Sequence, residues 1–272
     1  MGGALRWYRE NLGYTLDDAA RILDCDRSKI SRIETGQRGI RRNELRDLFA
    51  EYGVGEKQQV ILADMANPRR AQGWYGTYTD LLPGAYQDYL ILETWASGIS
   101  AYEAQRIPAL LQTPAYARAL AEVDPGLADN DARDRAAGAM LARQKAILGE
   151  RRPDIHVVIG EAALRQEVGG PAVMRGQLEM LARISGGSAV GAVQILPFTR
   201  GAHPAADVGS LAILQFSAAP RLGVAYLGGA GGGVLLEGQA DLTAYGRMFE
   251  QLRAFALSPA QSALLLRELT AR

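Results

Sequence analysis

Apolar side chains in the first 66 residues recur every three or four positions, the spacing of one helix face. Leu5, Tyr8 and Leu12 mark a first helix over ALRWYREN. Leu16, Ala19, Ala20 and Leu23 mark a second, and Ile30 and Ile33 a third. Leu45, Leu48, Phe49 and Tyr52 predict a fourth over RNELRDLFAEYG, stopped at Gly53, and EKQQVILADMA reads as a fifth. The periodicity breaks at 67–76, NPRRAQGWYG, where Pro, two Arg and two Gly predict a linker.

Beyond residue 77 the pattern changes. YQDYLILETWASGISAYEAQR (86–106) reads as a helix followed by a bend. LQTPAYARALAEV and DNDARDRAAGAMLARQKAILGE read as helices, the first with Pro114 near its start. IHVVIG (155–160) and AVQILPF (192–198) are short apolar runs that flank the helical GPAVMRGQLEMLARIS. That order fits a βαβ unit or mixed pairing. SLAILQF, RLGVAYLGG and GVLLEG follow with short turns and predict an antiparallel meander, before helices at about 241–255 and 259–270. The expected fold class is α+β: a helical domain at 1–66, a linker at 67–76, and a larger mixed helix and sheet domain at 77–272 that serves sensing or dimerisation.

The polar positions of residues 15–36, TLDDAARILDCDRSKISRIETG, sharpen the picture. Thr15 with Asp18 forms a weak capping-box pattern, Asp26 suits an N-cap, and Gly36 suits a left-handed C-terminal cap. Two short helices joined by the tight turn Leu23-Asp24-Cys25 have the layout of a helix-turn-helix, whose second helix enters a DNA major groove. Arg27, Ser28, Ser31 and Arg32 fall on one outward face near that helix's start. Arginine matches guanine O6 and N7, and serine donates or accepts at several bases, so these four are the expected base contacts. Thr15, Lys29, Arg38, Arg41 and Arg42 are the expected phosphate contacts.

Charge supports a local rather than a global nucleic-acid surface. The 272-residue chain has a formal net charge of zero, yet Arg27 to Arg46 holds six arginines and Lys29 against Glu34 and Glu44. A basic patch on a neutral protein suits a site-specific binder.

Catalytic signals are weak. His156 sits in a strand and His203 in the loop GAHPAAD, neither with a metal-ligand neighbour at the right spacing. GGAGGGV (228–234) lacks the Gly-Lys-Ser/Thr of a phosphate loop and reads as a hairpin tip. Glu161, Arg165 and Gln177, or Trp74, Tyr75, Trp95 and Tyr102, suit a pocket as well as they suit a surface ion pair or plain core packing. Cys25 is the sole cysteine and reads as a small apolar residue. No apolar run has the length of a membrane span, and no signal-peptide core is present. The expectation is a cytoplasmic protein with no enzyme activity, no cofactor, no metal and no membrane partner.

DRSKISRIETGQR resembles the recognition helix and following glycine turn of the Cro/repressor-like, or xenobiotic-response-element, helix-turn-helix family, over about the first 65 residues. The resemblance implies five helices, the second and third forming the motif. Two positions depart from the family: Leu16 stands where it usually has Gln, and Asp24 where it usually has Gly. Asp tolerates the left-handed conformation better than most residues, so the turn is expected to survive. LETWASGISAYEAQRIPALLQTPAYARAL, EAALRQEVGGPAVMRGQLEML and VQILPF resemble the C-terminal domain of WhiJ-type actinobacterial regulators. Ala109 departs from that family's usual Gly. This second resemblance implies a transcriptional regulator paired with a small, antitoxin-like companion protein. The expected partners are double-stranded DNA, a second copy of the chain on an inverted repeat, and a companion protein or small-molecule effector at the C-terminal domain. Two rivals stand beside this reading: an antitoxin-like interaction module with weak or no DNA binding, and a ligand-responsive, enzyme-like sensor.

Overall fold

A computed structural model describes residues 1–67, 74–82, 84–185, 191–218, 222–229 and 232–271. Most of the expected linker therefore lies outside the described residues. The chain divides into two compact units, one of Met1–Gly73 with Gln215–Gly223, the other of Trp74–Leu214 with Val224–Arg272.

The first unit contains α1 (Gly2–Asn11), α2 (Leu16–Ile22), α3 (Arg27–Glu34), α4 (Arg42–Glu51) and α5 (Glu56–Met65). Leu5, Ala19, Ala20, Ile30, Ile33, Leu45, Leu48, Phe49 and Leu62 form its core. The small Ala19 and Ala20 let α2 approach its neighbours closely. One expectation for α1 fails: Leu12 follows the helix end and is 45 % exposed, while Arg9 takes a buried place on the face begun by Leu5. Ala218, far along the chain, belongs to the same core, and the Tyr8 hydroxyl donates to its carbonyl at 2.8 Å.

The second unit is built on a six-stranded sheet of order β3-β2-β1-β4-β5-β6. Its strands are β1 (Gly98–Glu103), β2 (Asp154–Gly160), β3 (Ala192–Leu196), β4 (Ser210–Gln215), β5 (Gly223–Leu227) and β6 (Val234–Leu236). β1, β2 and β3 run parallel, and β5 pairs antiparallel with β6. The sheet is therefore mixed, as an α+β chain allows.

The central strand β1 was not expected, because 86–106 read as a helix and a bend. The helix α6 (Gly84–Trp95) comes first, and GISAYE then runs as a strand buried from both sides. Ile99, Ala101 and Glu103 point one way and Tyr102 the other, so the run shows no apolar-polar alternation.

The remaining helices are α7 (Pro114–Glu122), α8 (Asn130–Gln144), α9 (Glu161–Arg165), α10 (Pro171–Ser185), α11 (Gln239–Phe255) and α12 (Pro259–Thr270). Thr113 caps α7 by accepting from Tyr116 N, with Pro114 in the first turn. Ser258 and Gln261 form a full capping box at α12. α8 continues as a π-helical turn, Lys145–Arg151, and Arg152 ends it with φ of 46°. One sheet face, with Tyr102, Val158, Leu211, Ile213 and Ala225, packs on Phe249 and Leu252 of α11. The other face carries α6 and Arg143 of α8.

Candidate nucleic-acid interface

The turn between α2 and α3 forms as the sequence requires. Thr15 Oγ1 accepts from Asp18 N at 3.1 Å, and Thr15 N donates to Asp18 Oδ2 at 2.7 Å. Asp24 adopts φ of 45°, the left-handed conformation the tight turn needs. Asp26 then caps α3 by accepting from Ser28 N at 2.7 Å. That backbone N–H holds the Asp26 carboxyl below its ordinary value. Gly36 follows α3 with φ of 75°.

The orientation of α3 is set by two ion pairs. Arg9 Nε and Nη2 donate to Glu34 Oε1 and Oε2 at 2.7 and 2.9 Å, and Arg9 Nη1 donates to Tyr14 O at 2.7 Å. This fork ties the end of α3 to α1. Lys29 Nζ donates to Glu44 Oε1 at 2.6 Å, while Glu44 Oε2 accepts from Arg41 N at 3.1 Å. Lys29 holds the Glu44 carboxyl below its ordinary value. Burial pushes the neighbouring Cys25 thiol up, consistent with a packed residue.

These anchors leave a distinct exposed face. Arg27, Ser28, Arg32, Arg38, Arg41 and Arg42 are exposed, and Ser31 is half-buried. Arg32 folds back along its helix, with Nε 3.2 Å from Ser28 O and Nη2 3.4 Å from Ser28 Oγ. Arg27 stands 3.9 Å from Asp17, a loose surface pair. Arg38, Arg41 and Arg42 have no ion pair among the described residues. Lys29 departs from the expected phosphate role: only 18 % of its side chain is exposed and its ammonium is committed to Glu44. Thr15 is exposed but spends its side chain on the cap of α2. Leu16 is half-buried against the core, in keeping with its apolar character.

Arg9 and Glu34 escaped the sequence reading. Their signal was present: each lies four residues after a core side chain, Leu5 and Ile30, and so on an inward face.

The other candidates of the sequence have structural roles. Glu161 accepts from Arg165 Nε at 2.7 Å and from Phe198 N at 2.8 Å. Gln177 is fully buried and bridges Thr113 N and Leu111 O. Tyr75, Trp95 and Tyr102 are buried. His156 lies on β2, 3.7 Å from Asp154, and His203 packs edge-on to Tyr102. Among the described residues no cluster of His, Cys, Asp and Glu is arranged to hold a metal ion, and no helix is long and apolar enough to cross a membrane.

Comparison with known families agrees with the N-terminal geometry. Residues 1–59 match the family described as a helix-turn-helix domain, so the first unit is a helix-turn-helix of the DNA-binding regulator type. The chain has no match among curated proteins and none among solved structures. Residues 86–268 match a second family, over a stretch that takes in all six strands and most of the helices around them. Most of the chain lies within that match, and the protein therefore belongs to the family described as Domain of unknown function (DUF5753), here preceded by a helix-turn-helix domain.

Proposed function

We propose that the protein is a sequence-specific transcriptional regulator that binds an inverted repeat as a homodimer. The observation that carries this reading is the face of α3: Arg27 and Ser28 in its first turn and Arg32 in its last are exposed, while Arg9–Glu34 and Lys29–Glu44 hold the helix at both ends. A rigid helix with exposed, loosely held arginines suits base reading in the major groove. Arg38, Arg41 and Arg42 follow α3 and suit phosphate contacts that set its register. Two copies on one face of B-DNA require reading helices about 34–36 Å apart, or a multiple of that.

The C-terminal unit, in this reading, controls binding in response to a small companion protein or a small molecule, and the protein acts in the cytoplasm without catalysis. The support for control is covalent. Most of strands β4 and β5 belongs to the C-terminal unit, and Ala218, which lies between them in sequence, belongs to the N-terminal core. In this reading the chain between β4 and β5 carries the effector's signal to the helix-turn-helix.

Genome-wide footprinting of the full chain, with and without its chromosomal neighbour's product, tests this reading. The expected result is protected inverted repeats whose occupancy changes with the neighbour. Tight binding of the neighbour with no footprint at any site favours an antitoxin-like interaction module instead.

A further inference from the structure

The C-terminal unit contains a cavity of about 50 Å3 between α6, α8 and the sheet. Its floor is apolar, made of Ile99, Ala101, Ile155 and Val157. One wall is a stack of three tyrosines: Tyr86 on Tyr89 with ring centres 5.8 Å apart, and Tyr89 on Tyr226 at 4.4 Å.

Four charged residues line the cavity, and they are not equivalent. Glu93 and Arg143 close on each other. Arg143 Nε and Nη2 each donate to a Glu93 oxygen at 2.7 Å, and the Tyr89 hydroxyl donates to Glu93 Oε1 at 2.7 Å. Glu93 is 1 % exposed, so this pair is complete and dry. Glu103 is different. Its carboxylate accepts from Ser210 Oγ at 2.9 Å, and its nearest cation is Arg106, held loosely at 3.5 Å by a side chain that is 60 % exposed, with the Glu93-paired Arg143 acting on it from further off. Burial pushes the Glu103 carboxyl above its ordinary value, with Arg106, Ser210 and Arg143 pulling it back only in part.

The Tyr86 and Tyr89 rings already hold the Arg143 guanidinium 5.7 and 5.6 Å from their centres, and a largely buried, weakly paired carboxylate beside such rings has the chemistry of a cation receptor. The exposed Arg106 can swing into water and leave Glu103 free. From this arrangement we propose that the cavity binds the ammonium head of a small amine with an apolar body, Glu103 pairing with the charge and Tyr226 beside it. Drug-sized pockets run to about 300–1,000 Å3, so this one admits a headgroup rather than a large ligand. The amine's part as an effector rests on the regulator reading above; its binding does not.

Calorimetry and thermal melting of the full chain without DNA test the site by itself, with isopentylamine and phenethylamine as probes and isopentanol and 2-phenylethanol as neutral matches. At millimolar concentration the amines are expected to bind and raise the melting temperature, and the alcohols are not. Glu103→Gln is expected to weaken amine binding at least tenfold. Arg106→Ala, at an exposed position, removes the competing cation and is expected to tighten it severalfold. The proposal is overturned if neither amine binds, if the alcohols bind equally well, or if Arg106→Ala weakens amine binding. Amine binding without any change in operator affinity leaves the site standing and removes only its regulatory role.

Discussion

Arg9 and Glu34 meet in a two-pronged ion pair inside the helix-turn-helix unit, with side chains only 8 % and 5 % exposed. Removing one partner strands the other charge away from water. Arg9→Met or Glu34→Met alone is therefore expected to cost about 3–5 kcal/mol. The double variant Arg9→Met/Glu34→Met replaces both charges by apolar groups and is expected to regain most of that loss. Denaturant melting, with hydrogen exchange followed on α1 and α3, checks the series. Losses that simply add in the double variant would show that the fork contributes nothing as a pair.

Asp24 holds a left-handed conformation at φ of 45° with a side chain that disfavours it. Left-handed backbone costs a non-glycine residue roughly 1–2 kcal/mol, less for Asp than for most. Asp24→Gly relieves that strain at the price of extra freedom in the unfolded chain. The expected outcome is a neutral or slightly higher melting temperature, whereas Asp24→Val lowers it clearly.

Lys29 and Arg41 separate a structural cation from a phosphate-facing one. Lys29→Met is expected to destabilise the fold by about 1–3 kcal/mol, because Glu44 loses its buried partner. It leaves the salt dependence of DNA binding unchanged. Arg41→Ala is expected to do the reverse, leaving stability intact and lowering the slope of log affinity against log salt by about one unit. Binding titrations at several salt concentrations, paired with melting curves, distinguish the two.

Arg32 rests on Ser28 in the free protein and must swing outward to reach a base edge. Arg32→Ala is expected to cost about 1–3 kcal/mol at one base-pair position and to relax specificity there alone. Selection from randomised duplexes, compared with the unaltered protein, reads this directly. A uniform loss across all sequences would instead make Arg32 a phosphate contact.

Glu103 gives the C-terminal unit a defined pH dependence. Its folded-state carboxyl titrates above the ordinary 4.5, so in the window just above that value the folded state retains a proton the unfolded chain has lost. Stability from this group is complete below the ordinary value and declines as pH rises through the raised one. Glu103→Gln has no such decline. Its melting temperature relative to the unaltered chain is expected to rise from acid toward neutral pH, measured in parallel scans.

The sequence by itself determined the five N-terminal helices, the motif turn, its caps and the outward arginines. These depend on contacts three or four residues apart, which a periodic pattern records. It also placed α12 within a residue, through Ser258 and Pro259 at its start. Only tertiary structure decided the rest. β1 is buried on both faces between β2 and β4, so nothing local marks it as a strand. Arg9 carried no expectation and Lys29 read as a phosphate contact, and both found their partners, Glu34 and Glu44, on other helices. Ala218 joins the N-terminal core across more than a hundred and forty intervening residues, and the tyrosine-lined cavity gathers α6, α8 and four strands. A buried charge is defined by the partner that compensates it, and that partner is supplied by the fold rather than by neighbours in the chain.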